Sequence, residues 1–387
     1  MPALAVTLLA APARAADVGP EGSPWSVEVH AFASQGFILT KNNNYLDQDT
    51  TRGSFQFSEL GVNLTKSITD RFRIGMQLFA QNLGPTGNYD IKADWFYLDY
   101  RFNNWLGVRA GRVKIPFGLY NDSVDIDSAR TAVLLPQSVY PEENRNYLLA
   151  QTGGEIYGYA NMGGAGGLDY RAYGGTISID ATPTPGSPYT LQNFNVPYLF
   201  GGRLMWDAPL EGLRLGGSVQ ALRLDASLLE ANPAKPSQTL STDIQIPALL
   251  WVASAEYTAG DLLLATEYSR WYVSVNSSNA AAFPASPTMT SERAYLMATY
   301  RATPLLQPGA YYSVLFPNVD DRGGRQNMQH DLATTLRFDL NEHWLLKLEG
   351  HAMAGTAGLD PTLNHNTPLS SLAQTWGVFL VKTTAYF

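Results

Sequence analysis

Alternation of apolar and polar residues with period two recurs along almost the whole chain, and the joins between the alternating segments are in turn short and long. Segments of about ten to fifteen residues with this pattern fall near 25–40, 53–67, 70–83, 89–102, 104–115, 150–162, 167–179, 197–208, 212–225, 246–258, 261–275, 291–303, 306–316, 327–340, 342–355 and 373–387, so about sixteen strands are expected. Period two puts successive side chains on opposite faces of a strand. Tilted strands of this length span a bilayer, and an even number brings both ends of the chain to one side so that the sheet can close on itself.

The joins sharpen that expectation. Short ones fall near 67–69, 103, 163–166, 209–211, 259–260, 304–305 and 341, and between them stand 41–52, 84–88, 116–149, 180–196, 226–245, 276–290, 317–326 and 356–372. Transmembrane barrels have short turns at one rim and long loops at the other. A soluble sandwich has no reason to keep that alternation, so an all-β, transmembrane antiparallel β-barrel is expected, as a single domain over 25–387.

Parity assigns the faces. In the third segment Phe72, Ile74, Met76, Leu78 and Ala80 share one face and Arg71, Arg73, Gln77 and Gln81 the other; in the fifteenth, Trp344, Leu346, Leu348 and Ala352 alternate with His343, Lys347, Glu349 and His351. A lipid-facing Arg or Lys at mid-depth costs roughly 2–4 kcal/mol, so the polar sets should face a wet, charged lumen. The same rule turns Asp331, Thr335, Arg337 and Asp339 inward, with Arg293, Tyr295, Thr299 and Arg301, and with Asp169, Arg171 and Tyr173. Arg112 and Lys114 break it by sharing the parity of Leu106, Val108 and Ala110, and bulges are expected where parity slips.

Composition excludes several classes. No apolar run of eighteen residues follows the N-terminus, which removes ordinary transmembrane helices. The absence of cysteine removes a disulfide framework and thiolate metal sites. A formal charge of −8 argues against a nucleic-acid partner. At 12% the aromatic content suits interfacial girdles.

The two ends carry compartment signals. Residues 2–11 are apolar and Ala13-Arg14-Ala15 has the small residues of a secretory cleavage site, so 1–15 reads as the remnant of a signal peptide and 16–24 as a short lead-in, although no basic start precedes it. The alternating run that ends on Phe387 has the terminal aromatic that outer-membrane barrels present to their insertion machinery. Together these point to the outer membrane of a Gram-negative bacterium, with its lipid and lipopolysaccharide as surroundings.

The longest join, 116–149, is expected to fold into the lumen as a third external loop and narrow it. It carries Asp122, Asp125, Asp127, Glu142 and Glu143 against Arg130 and Arg145. Inward parity offers it a wall of Arg71, Arg73, Arg101, Arg109, Arg171, Arg203, Arg293, Arg301 and Lys347. An acidic loop across a gap from a basic wall makes a transverse field that orients dipolar solutes and selects ions. Local pairing that merely holds the loop down is the alternative.

The run Gly111-Arg112-Val113-Lys114-Ile115-Pro116-Phe117-Gly118 resembles the Gly-Arg-x-Lys-x-Pro-x-Gly signature of the phosphate-selective porin O/P-like superfamily, and Asn144-Arg145-Asn146 is compatible with it. The resemblance covers about forty residues around the motif and implies sixteen-stranded, usually trimeric channels for small anions. On it, Arg112 and Lys114 line the constriction or anchor the loop; on the residues alone, Pro116 and Gly118 make the inward turn while Arg112 and Lys114 bond carbonyls. A phosphate channel needs a dense cationic ladder, whereas this chain has 26 Lys and Arg against 34 acids.

An enzyme is not expected. His30, His330, His343, His351 and His365 stand in no nucleophile-elbow or zinc-protease context, and no cofactor or metal is implied. The outward faces Ile156, Gly158, Ala160 and Leu168, Tyr170, Ala172, Gly174 are small, which suits close approach of barrel walls in a homotrimer or simply leaves room for the internal loop. The reading is a passive outer-membrane channel for small hydrophilic solutes with a preference for anions, the alternative being a structural or adhesive barrel.

Overall fold

The computed structural model describes residues 16–18, 26–84, 87–179, 189–231 and 239–387. The expected signal peptide and most of the lead-in lie outside these residues. A short β1 (Ala16–Val18) pairs with the start of β2 (Val27–Lys41). There follow β3 (Phe57–Ser67), β4 (Phe72–Leu83), β5 (Lys92–Asn103), β6 (Leu106–Lys114), β7 (Ala150–Asn161), β8 (Gly167–Thr176), β9 (Tyr189–Asp207) and β10 (Leu213–Ala231). The second half is β11 (Thr239–Ala259), β12 (Leu262–Ser277), β13 (Ser286–Tyr300), β14 (Leu306–Phe316), β15 (Gln329–Asn341), β16 (Trp344–Gly355) and β17 (Thr375–Tyr386).

From β2 to β17 each strand pairs antiparallel with the next, and β17 closes onto β2 from Gly377↔Lys41 to Tyr386↔Phe32. The result is a closed barrel of sixteen strands. Phe387 completes the seam, exchanging backbone hydrogen bonds with Ala31 at 3.0 and 3.2 Å. Closure satisfies every edge, which matters because an unpaired edge in hydrocarbon costs several kcal/mol per orphaned group.

Burial follows the expected parity. Leu60, Val62, Ile74, Leu78, Leu98, Ile156, Leu204, Val219, Leu296 and Leu332 are exposed on the outside, while Gln77, Glu267, Ser269, Asp331, Thr335, Arg337 and Glu349 on the alternate face are buried. Exposed Tyr100, Phe102, Trp105, Tyr159, Trp206, Tyr300, Trp344 and Phe387 cluster towards the short-turn rim, as an interfacial girdle does. An outer belt of this kind belongs in a bilayer.

Two features differ from the sequence expectation. Strands β9 to β11 run 19, 19 and 21 residues, because the hydrogen-bond ladder continues past the stretch where lipid enforces alternation. Second, much of the inward face is not an open wet surface: Gln77, Glu267, Asp331, Arg337, Lys347 and Glu349 are withdrawn from solvent and bonded to the chain itself, while Arg71, Arg73 and Arg101 stay exposed. The slip at Arg112 has a structural cause, since the β4–β5 register shifts between Gln77 and Leu78, Asp94 and Trp95 are both buried there, and the facing Gly111 takes φ +135° with Phe96 O where a Cβ would stand.

Candidate functional site

The join between β6 and β7 holds the chemistry. Asn121 pins its two ends together by donating from Nδ2 to Ile115 O (2.7 Å) and Leu148 O (3.0 Å). Three short 3-10 turns, Asn121–Ser123, Asp127–Ala129 and Glu142–Asn144, and one helical turn, Arg145–Leu148, give it shape. Gly118, at φ +58°, lets the chain pass so close that a Cβ would meet Tyr140 Oη and, at 2.7 Å, Glu267 Oε1.

The bonds of this segment reach inward side chains all round the barrel. Gln77 on β4 donates to Asp125 (2.8 Å), Arg203 on β9 to Gly118 O (3.2 Å), and the Leu119 amide donates to Glu267 on β12 (2.9 Å). On the far wall the amides of Val133 and Leu134 donate to the two oxygens of Glu349 on β16 (2.7 and 2.9 Å), and Arg337 on β15 donates to Ser128 O and Arg130 O (2.7 and 3.0 Å). Opposite walls of the barrel thus hold the same segment.

Among the described ion pairs Asp127 is the acid met by the most cations. Lys347 Nζ donates to its Oδ1 (2.9 Å) and carbonyl (2.7 Å), Thr384 to its Oδ2 (2.7 Å), and Lys382 lies 3.4 Å away while also bonding Glu59 (2.6 Å). Arg130 adds a cation at 3.8 Å. Burial alone would raise the Asp127 carboxyl, but Lys347, Lys382 and Arg130 outweigh it and hold it well below the usual carboxylate range. Asp122 and Asp125 follow the same logic, burial being overcome by Arg171 and Arg203 in one case and by Lys114 and Arg145 in the other. Glu142 goes the other way, pushed up by burial.

The motif residues act where the segment leaves the wall. Lys114 donates to Asp122 O (2.7 Å) and Asp125 Oδ1 (2.6 Å), and Arg112 Nε to Asp94 O (2.8 Å). Arg145, near the far end, grips Asp94 with both guanidinium nitrogens (3.1 and 2.7 Å) over the Phe79 ring. Asp94, at the β5 bulge, therefore ties together the strand that leads into the segment and the helical turn near the segment's far end.

The basic residues expected to form one wall divide into groups. Arg171 and Arg203 meet Asp122 directly at 3.2 and 2.8 Å, which is contact and not a field across a gap. Arg109 is paired with Asp99 (3.2 Å) and Glu155 (3.0 Å) on its own neighbouring strands. Lys347 is fully buried and no passing solute can touch it. Arg71, Arg73 and Arg101 gather at the short-turn rim, where the Arg101 amide bonds Arg71 O and the Arg73 side chain stays 45% exposed. Arg301 lies just past the end of β13 at the same rim, and Arg293 stands towards the long-loop end beside the Trp271 ring.

Sequence reasoning missed the apolar half of the segment. Ile115, Phe117, Ala132, Leu135, Val139, Tyr140 and Leu148 form one buried cluster with inward Tyr173, Leu199, Leu250, Val252, Ala265, Tyr295, Met297 and Tyr311. Val133 and Leu134 join a second with Ile38, Phe57, Met353, Trp376 and Leu380. The signal was available: 132–135 reads Ala-Val-Leu-Leu, an apolar run out of place in a solvated loop.

The sequence matches no protein-family model and no curated protein. Among solved structures the chain is similar to the outer-membrane OmpT of Vibrio cholerae, 10% identical over 94% of this chain and 98% of that one with TM-score 0.59; OmpT has also been solved in a trimer form. It is similar to OmpF of Salmonella typhi in complex with daunomycin (12% identity, 94% and 98% covered, TM-score 0.57). The anion-selective porin of Comamonas acidovorans is another likeness (13% identity, 94% and 99% covered, TM-score 0.55). At such identities the likeness is one of fold: the chain is a sixteen-stranded β-barrel of the outer-membrane type, and with its apolar outer belt it is a protein of the Gram-negative outer membrane.

Proposed function

We propose that the barrel is a porin through which small hydrophilic solutes diffuse passively, without cofactor or catalysis, and that residues 116–149 cross its lumen as the constriction. The observation that carries this reading is the set of bonds from that one segment to inward side chains on opposite walls, from Gln77 and Arg203 to Glu349 and Arg337. The fold likeness to the Comamonas anion-selective porin and to OmpF supports the same class.

An anion preference rests on the rim cations Arg71 and Arg101 and on Arg73, which shares Asp99 (3.7 Å) with Arg109, while the cations nearest the segment meet acids of the segment directly. Kinship with the phosphate-selective porin O/P-like superfamily rests on Gly111 to Gly118, whose Arg112 and Lys114 hold the base of the segment. A homotrimer is supported by the small outward residues Gly158, Ala160, Ala172 and Gly174 and by the trimeric OmpT. Phe387, at the seam, is the residue to be read by the insertion machinery.

A second reading, a structural or adhesive barrel with little channel activity, is favoured by the apolar cluster that joins the segment to the wall. Swelling of liposomes that hold the folded protein separates the two. Entry of monosaccharides at rates proportional to protein content fits the porin; swelling no faster than in empty vesicles fits the second reading and contradicts the first.

A further inference from the structure

On the outer face of the barrel, where parity puts side chains against lipid, one cluster is charged. Arg270 on β12 and Glu292 on β13 stand directly opposite each other and share that face with exposed Leu264 and Leu296. A charge there is costly at mid-depth and nearly free at the interface. Glu292 lies eight residues along β13 from Tyr300 of the short-turn girdle, which at about 3.4 Å per residue and a tilt of about 40° is roughly 21 Å of height. The cluster therefore sits near the top of an apolar band about 25 Å tall, on the long-loop side.

Two guanidiniums share the one carboxylate. Arg270 Nη2 donates to Glu292 Oε2 (2.8 Å), and Arg322, from the connection after β14, donates from Nη2 to Oε1 (3.0 Å). Tyr268 Oη steadies the arrangement by donating to Glu292 Oε2 (2.6 Å) and accepting from Arg270 Nε (2.7 Å), and Arg322 lies 4.5 Å from the Phe316 ring centroid. The two Arg side chains stay 36% and 45% exposed. Asp320 and Asp321, exposed in the same connection, repel a free anion, so the pair of cations suits an anion that a second attachment brings to it.

We propose that Arg270 and Arg322 bind a phosphate group of an outer-leaflet glycolipid whose acyl chains lie on the apolar face below. The forked donors of a guanidinium match phosphate oxygens, and Glu292, by holding one guanidinium on each of its oxygens, sets two of them side by side at the level of the head groups. Acyl chains on Leu264, Leu296 and Leu332 keep the phosphate at that level, an effective concentration that outweighs the two acids and that a free phosphate lacks. Trp251, opposite Arg270 on β11, and Tyr272 border the site with interfacial aromatics. The proposal rests on the barrel standing in the outer membrane and not on whether it conducts.

The test is native mass spectrometry of the full chain folded in detergent, with a bis-phosphorylated diglucosamine lipid, the same lipid without its phosphates, and inorganic phosphate as probes. The wild type is expected to bind the phosphorylated lipid at least tenfold more tightly than the dephosphorylated one. Arg270→Gln with Arg322→Gln should abolish that preference with unchanged far-ultraviolet circular dichroism, and Arg322→Gln alone, in a connection outside the sheet and so neutral for folding, should at least halve it. Inorganic phosphate at equal concentration should not displace the lipid. Equal binding of the two lipids by the wild type, a preference undiminished in Arg322→Gln or surviving in the folded double variant, or displacement by inorganic phosphate overturns the proposal.

Discussion

Lys347 Nζ stands 2.9 Å from Asp127 Oδ1 and 2.7 Å from the Asp127 carbonyl, and neither side chain meets solvent. The two are 220 residues apart, one on a barrel strand and one on the long segment. Removing one member of a buried, hydrogen-bonded ion pair typically costs about 3–5 kcal/mol, because the other is left uncompensated. Asp127→Asn should therefore free the middle of the segment while the barrel persists. Expected are a raised single-channel conductance and faster proteolysis within 116–149, with unchanged β-sheet circular dichroism; unchanged conductance and protease resistance would show that the pair does not hold the segment.

Acid should loosen the same attachment. Asp122, Asp125 and Asp127 are held below their ordinary values, so each contributes stability that is complete above the unfolded value of about 3.9 and is lost as the pH falls from there through the depressed folded values. The attachment made by these three carboxylates should persist down to about pH 4 and be lost only below it, whereas Glu142 and Glu143, whose carboxyls burial pushes up, Glu143 to about 7, change charge at higher pH. Current recordings across that range check this, and noise that sets in near neutral pH would assign the effect to other groups.

Gly118→Ala tests the turn at the start of the segment. The left-handed φ of +58° costs an L-residue roughly 1–2 kcal/mol, and the added methyl would press on Tyr140 Oη and Glu267. A lowered thermal transition and broadened tyrosine signals are expected. Gly163→Ala, at φ +61° but with no atom within 4 Å of the new Cβ, is the control that carries backbone strain alone.

The seam between first and last strands is clasped at the long-loop end by Asn44 and Asn364. The Asn44 amide donates to Asn364 Oδ1 (2.8 Å) and Asn364 Nδ2 to Asn44 O (3.0 Å), both residues being buried. Asn364→Ala leaves these groups unsatisfied, at about 1–3 kcal/mol. Hydrogen exchange at Asn43 to Asp47 should accelerate at least tenfold; unaltered protection there would assign the seam's stability to the strands alone.

The barrel was legible in the sequence because lipid enforces alternation: every strand from Val27 to Tyr386 falls where parity put one, and the short and long joins alternate as read. What was not legible came from partners distant in sequence. Asp127 looked like one acid of an exposed loop, but its cations Lys347 and Lys382 are on β16 and β17, and parity cannot say which inward residues touch across a barrel. The same blindness made Arg171 and Arg203 a wall facing a gap when they touch Asp122. The extension of β9 to β11 was missed because period two fades once a strand leaves the bilayer.

An ion preference set at the exposed rim has its own test. Because Arg71 and Arg101 are joined by a backbone hydrogen bond and Arg73 stands opposite Asp99 on the neighbouring strand, the three cations sit at one corner of the rim with one acid among them. Replacing all three with Gln is expected to shift the reversal potential in a salt gradient towards cations, and Arg109→Ala, a residue neutralised by Asp99 and Glu155, should shift it little. An equal shift from Arg109→Ala would restore the basic wall.

The most direct test of the account is single-channel recording of the folded wild-type protein in a planar bilayer. A porin with residues 116–149 as its constriction predicts discrete, ohmic current steps that enlarge when Asp127→Asn releases the segment. A folded, membrane-inserted barrel that passes no current in either form would contradict it.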